Sequence, residues 1–426
     1  ILFRARHPMH HTAFFIHAIR PETDYTRLEE TGNPGIGGTE FEILLIAQSL
    51  ACRYPDFRIS LITPEKLRLN PAVRQLVTGD APLSADALRR LCIQESVSVL
   101  VMESRVDSEY LEAFRHDAVR LILWAHCFTS RKRIHEIERN PAVRQLVCVG
   151  HEQLEMLRDH DVFSKATFIY NCVPVPASLP QLVREHPFHD REPVVVYLGS
   201  LHYMKGFHLL AAAWKRIRSA VPGATLHVLG GSSSGTLGAY RIASPKYEKL
   251  FIKHILDADG RLMDSVFFHG NSGVEKWEVL CRARVGVPNP SGRSETFCLS
   301  LVEMLLSGAR VTTIASPAAR DVSPFPEDLY QKPQALADSV IELLLAGKAP
   351  DYETTVQLLT ARFGPGTVLA RWRECLSAVA EDKPVFPQEK PVVCHPDFQK
   401  RLRCINAKLR RHLPFLPAIG TAFQKC

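Results

Sequence analysis

The sequence predicts an α/β protein of two tandem domains, each a parallel sheet wrapped in helices, and three observations carry that prediction. Short apolar runs alternate with helical patterns along most of the chain, as strands and helices do in βα units. The runs are continuously apolar, which suits strands covered on both faces. And 426 residues exceed what one hydrophobic core ordinarily organises, so two domains are the natural division.

Ala13-Phe14-Phe15-Ile16 is the first predicted strand, and a glycine-rich stretch, Gly32 to Glu40, leads into a helix from Glu40 to about Leu50. Ile59 to Ile62, Val97 to Val101, Leu121 to Trp124, Leu146 to Val149 and Phe168 to Tyr170 continue the strand series. Pro174 to Pro193, rich in proline and charge, holds the predicted boundary. A second series follows: a strand at Val194 to Leu198, a helix from Phe207 to Arg218, then strands at Thr225 to Leu229, Val266 to Gly270, Ala283 to Val287 and Val311 to Ile314. Helical material from Gln334 to Ala380 closes it. The expected division is 1–180 for the first domain, 190–380 for the second and 386–426 for a basic tail. NPAVRQLV occurs twice, at Asn70 and Asn140, each copy leading toward a strand; no longer repeat accompanies it.

Composition narrows the chemistry. Hydrophobic content of 46% and a charged fraction of 23% are ordinary for a globular protein, and the net charge of +7 suits an anionic partner without specifying one. Eleven cysteines include no CxxC pair and no Cys/His cluster, so they read as reduced core thiols, with no metal site or bound cofactor expected. Motifs of the GxSxG and HExxH kinds are absent. No paired aromatic platform accompanies the basic residues, which argues against nucleic acid.

Several stretches carry candidate chemistry, each with a plainer reading beside it. Gly37 and Gly38 stand directly before a helix, where backbone can approach a ligand and present N–H groups to phosphate, or simply turn at the surface. Lys205-Gly206 follows the strand ending at Leu198-Gly199, where an ammonium can neutralise a diphosphate or merely be solvated. Gly230 and Gly231 open a second glycine-rich loop through Gly235 that can line the same pocket. His126, just past a buried strand, either contacts a ligand or is packed. Glu295 and Glu303 flank a predicted helix start after the turn Pro288-Asn289-Pro290-Ser291-Gly292. They frame a ligand at its free N–H groups or are two solvated acids.

In order and separation these features resemble the retaining glycosyltransferases of family 4, which have the GT-B fold. The match runs over roughly residues 32 to 325. Gly37-Gly38-Thr39-Glu40 resembles the N-terminal glycine loop of that family, and His126 the histidine facing the donor sugar. Asn171 resembles the asparagine closing the first domain, although Cys172 stands where a glycine is usual. Leu198 to Gly206 resembles the segment written GRL…KG, and Glu295 and Glu303 stand at the two family glutamates. The resemblance implies two Rossmann-like domains facing a central cleft. It implies transfer of a hexose from a UDP- or GDP-sugar to a glycan or lipid-linked hydroxyl acceptor, with retention, in surface-glycan or lipopolysaccharide-type assembly. His126, Lys205 and Glu295 are then the expected catalytic residues. Gly37, Gly38, Gly199, Lys205, Gly230, Thr296, Phe297 and Glu303 are expected to bind the donor, with Glu303 on its ribose. Two departures stand out. Ser200 replaces the arginine that shares the diphosphate with the lysine, and Cys298 replaces the glycine after Glu295-Thr296-Phe297. They open the alternative of a catalytically weak relative that binds nucleotide-sugar or glycan.

The final 41 residues hold eight basic side chains (Lys390, Lys400, Arg401, Arg403, Lys408, Arg410, Arg411 and Lys425) against Glu389 and Asp397. Leu402, Ile405 and Leu409 share a helical face, followed by Leu413, Phe415 and Leu416. Two readings stand: an amphipathic helix on an anionic membrane surface, or a helix packed back on the first domain. The expected location is cytoplasmic, peripheral at the inner face of the plasma membrane.

Overall fold

The computed structural model describes residues 10–17, 19–79, 82–232, 238–347, 351–385 and 398–420. Ser233, Ser234 and Gly235 of the second glycine-rich loop, and Phe386, Glu389, Lys390, Asp397 and Lys425 of the tail, lie outside the described residues.

The first sheet has seven strands: β1 His11–Phe15, β2 Arg58–Thr63, β3 Arg74–Val77, β4 Val99–Glu103, β5 Arg120–Ala125, β6 Val143–Cys148 and β7 Ala166–Phe168. They lie in the order β3-β2-β1-β4-β5-β6-β7, and every pairing is parallel. Their apolar runs are buried as the sequence implies; Leu121 to Ala125 is fully enclosed. The second sheet has five: β8 Val194–Leu198, β9 Thr225–Leu229, β10 Val266–Gly270, β11 Val285–Gly286 and β12 Arg310–Val311. Its order is β10-β9-β8-β11-β12, again all parallel. Each sheet reverses strand order once, between β1 and β4 and between β8 and β11. At such a switch the loops from the strands' carboxyl ends diverge and leave a crevice.

The chain divides into two compact units, and this corrects the expected boundaries at three places. The first unit holds 1–29, 37–172 and 365–426; the second holds 30–36 and 173–364. Helix Pro365–Ala380, assigned by sequence to the second domain, belongs to the first. Its Trp372 is fully buried there, 4.6 Å edge-on from Trp124 and 6.2 Å from Phe14. Residues 30–36 go with the second unit because Trp277 Nε1 donates to the Thr31 carbonyl at 3.3 Å and Gly35 lies against Ser272. The tail, too, is part of the first unit. Strand β3 is the end of the first NPAVRQLV copy, and β6 takes up the second, so both copies lead into strands.

Candidate functional site

Most expected donor-binding residues meet at the switch point of the second sheet. β8 delivers the loop Gly199 to Gly206, and β11 delivers the loop Pro288 to Cys298. The fully buried Tyr197 ties the first loop down: its hydroxyl lies 3.1 Å from the Ser200 carbonyl and 3.2 Å from that of Lys205, which share its proton. Gly206, at φ +75°, carries the backbone against Ser291, whose Oγ donates to the Met204 carbonyl at 2.5 Å. A Cβ on Gly206 would sit 2.6 Å from the Ser291 nitrogen, so the close approach requires glycine. Gly230 is similarly constrained, since a Cβ there would lie 2.0 Å from the Gly199 carbonyl oxygen.

This closure brings Lys205 Nζ to 2.7 Å from Glu295 Oε2, across 90 residues of sequence. Asn289 Nδ2 donates to the same oxygen at 2.8 Å. Asn289 is 4% exposed and left-handed at φ +33°, a conformation Asn tolerates better than most residues. It also receives Ser291 Oγ on its Oδ1 and donates to the Arg293 carbonyl. The turn residue thus fixes the carboxylate that the sequence reading singled out, a role that reading missed. Thr296 and Phe297 are buried, with Phe297 5.2 Å edge-on from Phe363.

Glu303, on helix Leu299–Leu306, has its own cation. Lys276 Nζ donates to Glu303 Oε1 at 2.6 Å from a side chain only 4% exposed, and to the Asn33 carbonyl at 3.4 Å. Nothing in the sequence near Lys276 marks it, because its partner is 27 residues away on another helix.

The two departures have defined surroundings. Ser200 is exposed and adds no charge. A second cation nevertheless stands by the lysine loop: the Arg293 guanidinium lies 5.0 Å over the Tyr203 ring. Cys298 caps the helix at φ −88°, a conformation open to any residue, and its Sγ is 3.6 Å from Ser300 Oγ. Burial, then the Glu295 carboxylate, pushes its thiol up to about 12, so it stays protonated.

The remaining expected residues lie in the first unit. Gly37 caps helix Gly38–Arg53, with the Glu40 carboxylate folded over it. His126 follows β5, 9% exposed and 4.4 Å from the Trp124 ring. Burial, reinforced by Arg105, pushes its imidazole down to about 3, so it is neutral at physiological pH. Asn171 is buried, and its Oδ1 has no hydrogen-bond partner among the described residues. The next backbone N–H, of Cys172, donates to the fully buried Glu42 at 2.8 Å.

Residues 180–353 match the family model Glycosyl transferases group 1. Among curated proteins, none matches the chain by sequence. Solved structures do match. HepE from Anabaena, in complex with UDP and glucose, is 15% identical with a TM-score of 0.62, covering 87% of this chain and 100% of its own. Sucrose-phosphate synthase from Thermosynechococcus elongatus is 15% identical at 0.64, covering 88% and 100%. AviGT4, a glycosyltransferase of avilamycin A biosynthesis, is 15% identical at 0.59, covering 88% and 98%. At such identity the likeness shows the fold, which is GT-B.

Proposed function

We propose that this chain, a glycosyltransferase of the GT-B fold, is a retaining enzyme that moves a hexose from a UDP-sugar to a hydroxyl acceptor. The observation that carries the reading is the Lys205–Glu295 pair, held by Asn289 at the switch point of the second sheet. The Lys205 side chain is 29% exposed beside a carboxylate, so its charge is positioned in advance where a diphosphate can arrive. In the transition state the C1–phosphate bond breaks and negative charge grows on the diphosphate, which the ammonium stabilises more than it does the ground state. Arg293 supplies the second cation in place of the arginine that Ser200 lacks. Glu295 contacts the transferred sugar. Glu303, kept in place by Lys276, accepts hydrogen bonds from the ribose hydroxyls. The family resemblance assigns neutral His126 to a sugar hydroxyl and the backbone at Gly37, Gly38, Gly199 and Gly230 to donor contact. The acceptor oxygen attacks C1 on the face the diphosphate leaves, and its proton passes to the departing phosphate oxygen.

HepE in complex with UDP and glucose supports the choice of UDP. Surface-glycan or lipopolysaccharide-type assembly on the cytoplasmic side is the setting in which a lipid-linked acceptor meets a basic tail. Incubation with UDP-, GDP- and ADP-sugars across varied acceptors tests the proposal. Transfer from a UDP-sugar with the anomeric configuration kept is the expected result. Donor binding with neither transfer nor donor hydrolysis would identify a binding protein instead.

A further inference from the structure

The C-terminal helix Phe398–His412 is turned inside out. Helices of globular proteins normally bury an apolar stripe and expose polar residues. Here the inward side is polar. Lys400 pairs with Glu152, both side chains nearly buried at 11% and 5% exposure. Asn406 Nδ2 donates to Asp159 Oδ2 at 2.7 Å, and Arg410 bonds the Asp159 carbonyl and pairs with Asp161 at 3.2 Å. The chain after the helix closes the same site: the Ile419 and Gly420 N–H groups donate to the Asp159 carboxylate at 2.6 and 3.1 Å. Arg403 is buried on this side too.

The outward side carries the apolar residues. Phe398, Ile405 and Leu409, at spacings of seven and four, form one line along the helix and are 73%, 55% and 46% exposed. Leu413 and Phe415, at 41% and 78%, extend it past the helix end. Arg401, Lys408 and His412 are exposed along one edge of that line and Arg411 lies beyond them. From Phe398 to Gly420 the sequence contains no acid.

We propose that this face docks the protein on an anionic phospholipid surface. Apolar side chains in a line, flanked by cations and free of carboxylates, match the boundary between acyl chains and negative headgroups. The buried polar contacts explain why the helix does not roll over to hide its apolar line, since turning it would take Lys400 from Glu152 and Asn406 from Asp159. Charge favours lipid over a second copy of the chain: residues 398–420 carry no acid, so the same face of a copy brings cations and no carboxylate to pair with them. The inference concerns the first unit alone and does not depend on the donor chemistry.

Flotation with phosphatidylcholine vesicles, with and without phosphatidylglycerol, tests it on the full chain. Binding is expected only with phosphatidylglycerol present and is expected to weaken as salt rises. The combined variant Phe398→Gln, Ile405→Gln, Leu409→Gln should lose about tenfold or more of that binding. Arg401→Gln, Lys408→Gln, Arg411→Gln should abolish the preference for anionic lipid. UDP affinity should be unchanged in both variants, because they alter exposed residues of the first unit, so a failure here is separable from a failure of the donor assignment. No vesicle binding by the unaltered chain, or equal binding by all three proteins, overturns the proposal. So does light scattering that shows a dimer lost in the apolar variant without any lipid effect.

Discussion

At the residue scale the site rests on two lysine–glutamate pairs with different tasks. Lys205–Glu295 is partly open to solvent, which leaves the ammonium available to a ligand, whereas Lys276 is enclosed with Glu303. Lys205→Ala should therefore lower kcat about 10²–10³-fold, the scale of losing one preorganised transition-state contact, equivalent to about 2.7–4 kcal/mol. A loss in KM alone would show that the lysine binds without stabilising the leaving group. Glu303→Gln should weaken donor affinity about tenfold, as expected for one charged hydrogen bond; unchanged affinity would refute the ribose assignment. His126 offers a pH test. Its folded-state pKa of about 3 lies below the ordinary 6.5. As pH falls below about 6.5 the unfolded chain takes up a proton that the folded chain refuses, so stability drops by up to about 1.4 kcal/mol per unit until about pH 3. Unfolding free energies from urea titrations should therefore fall further between pH 7 and pH 5 for the natural protein than for His126→Asn, by about 2 kcal/mol. Equal falls would mean that His126 titrates normally.

At the element scale, strands do little more than aim loops, and the loops are held by contacts made far away in sequence. Tyr197, at the end of β8, fastens the lysine loop from below, and Ser291 meets it from the side. Gly206→Ala would force a left-handed alanine into the space of the Ser291 backbone. A stability loss of about 1–3 kcal/mol is expected, with weaker UDP binding as Lys205 is displaced from Glu295. Calorimetry and titration measure the two effects together; a destabilised protein with intact donor affinity would uncouple the glycine from the lysine. Apolar runs such as Leu121 to Trp124 announced their strands because both faces of a parallel sheet are buried. β3 was signalled only by the repeated NPAVRQLV, because Arg74 and Val77 are exposed on a four-residue strand and leave no continuous apolar run.

At the scale of the whole molecule, the chain from Pro365 onward does not stay with the second unit. Helix Pro365–Ala380 contributes Trp372 to the core beside Trp124, and the C-terminal helix lays its basic inner side on Glu152, Asp159 and Asp161. Cutting the chain after Val385 removes the cation of a buried pair, which costs about 3–5 kcal/mol when the remaining charge stays enclosed. A lower urea midpoint for the shortened chain is expected. An unchanged midpoint would show that the tail lies on the first unit without stabilising it.

Much was already legible in order and period. Continuous apolar runs specify buried parallel strands, and glycine, lysine and glutamate in a set succession marked the loops that meet at the switch point of the second sheet. Asn289 and Lys276 were not legible, nor was the face that the final helix presents. Those depend on partners 6, 27 and roughly 250 positions away. Periodicity places Ile405 and Leu409 on one side of a helix, but only the packed acids of the first unit decide that this side points outward. Turning the helix to hide a short apolar line would take Lys400 and Asn406 away from enclosed acids, and that cost exists only once the chain has folded.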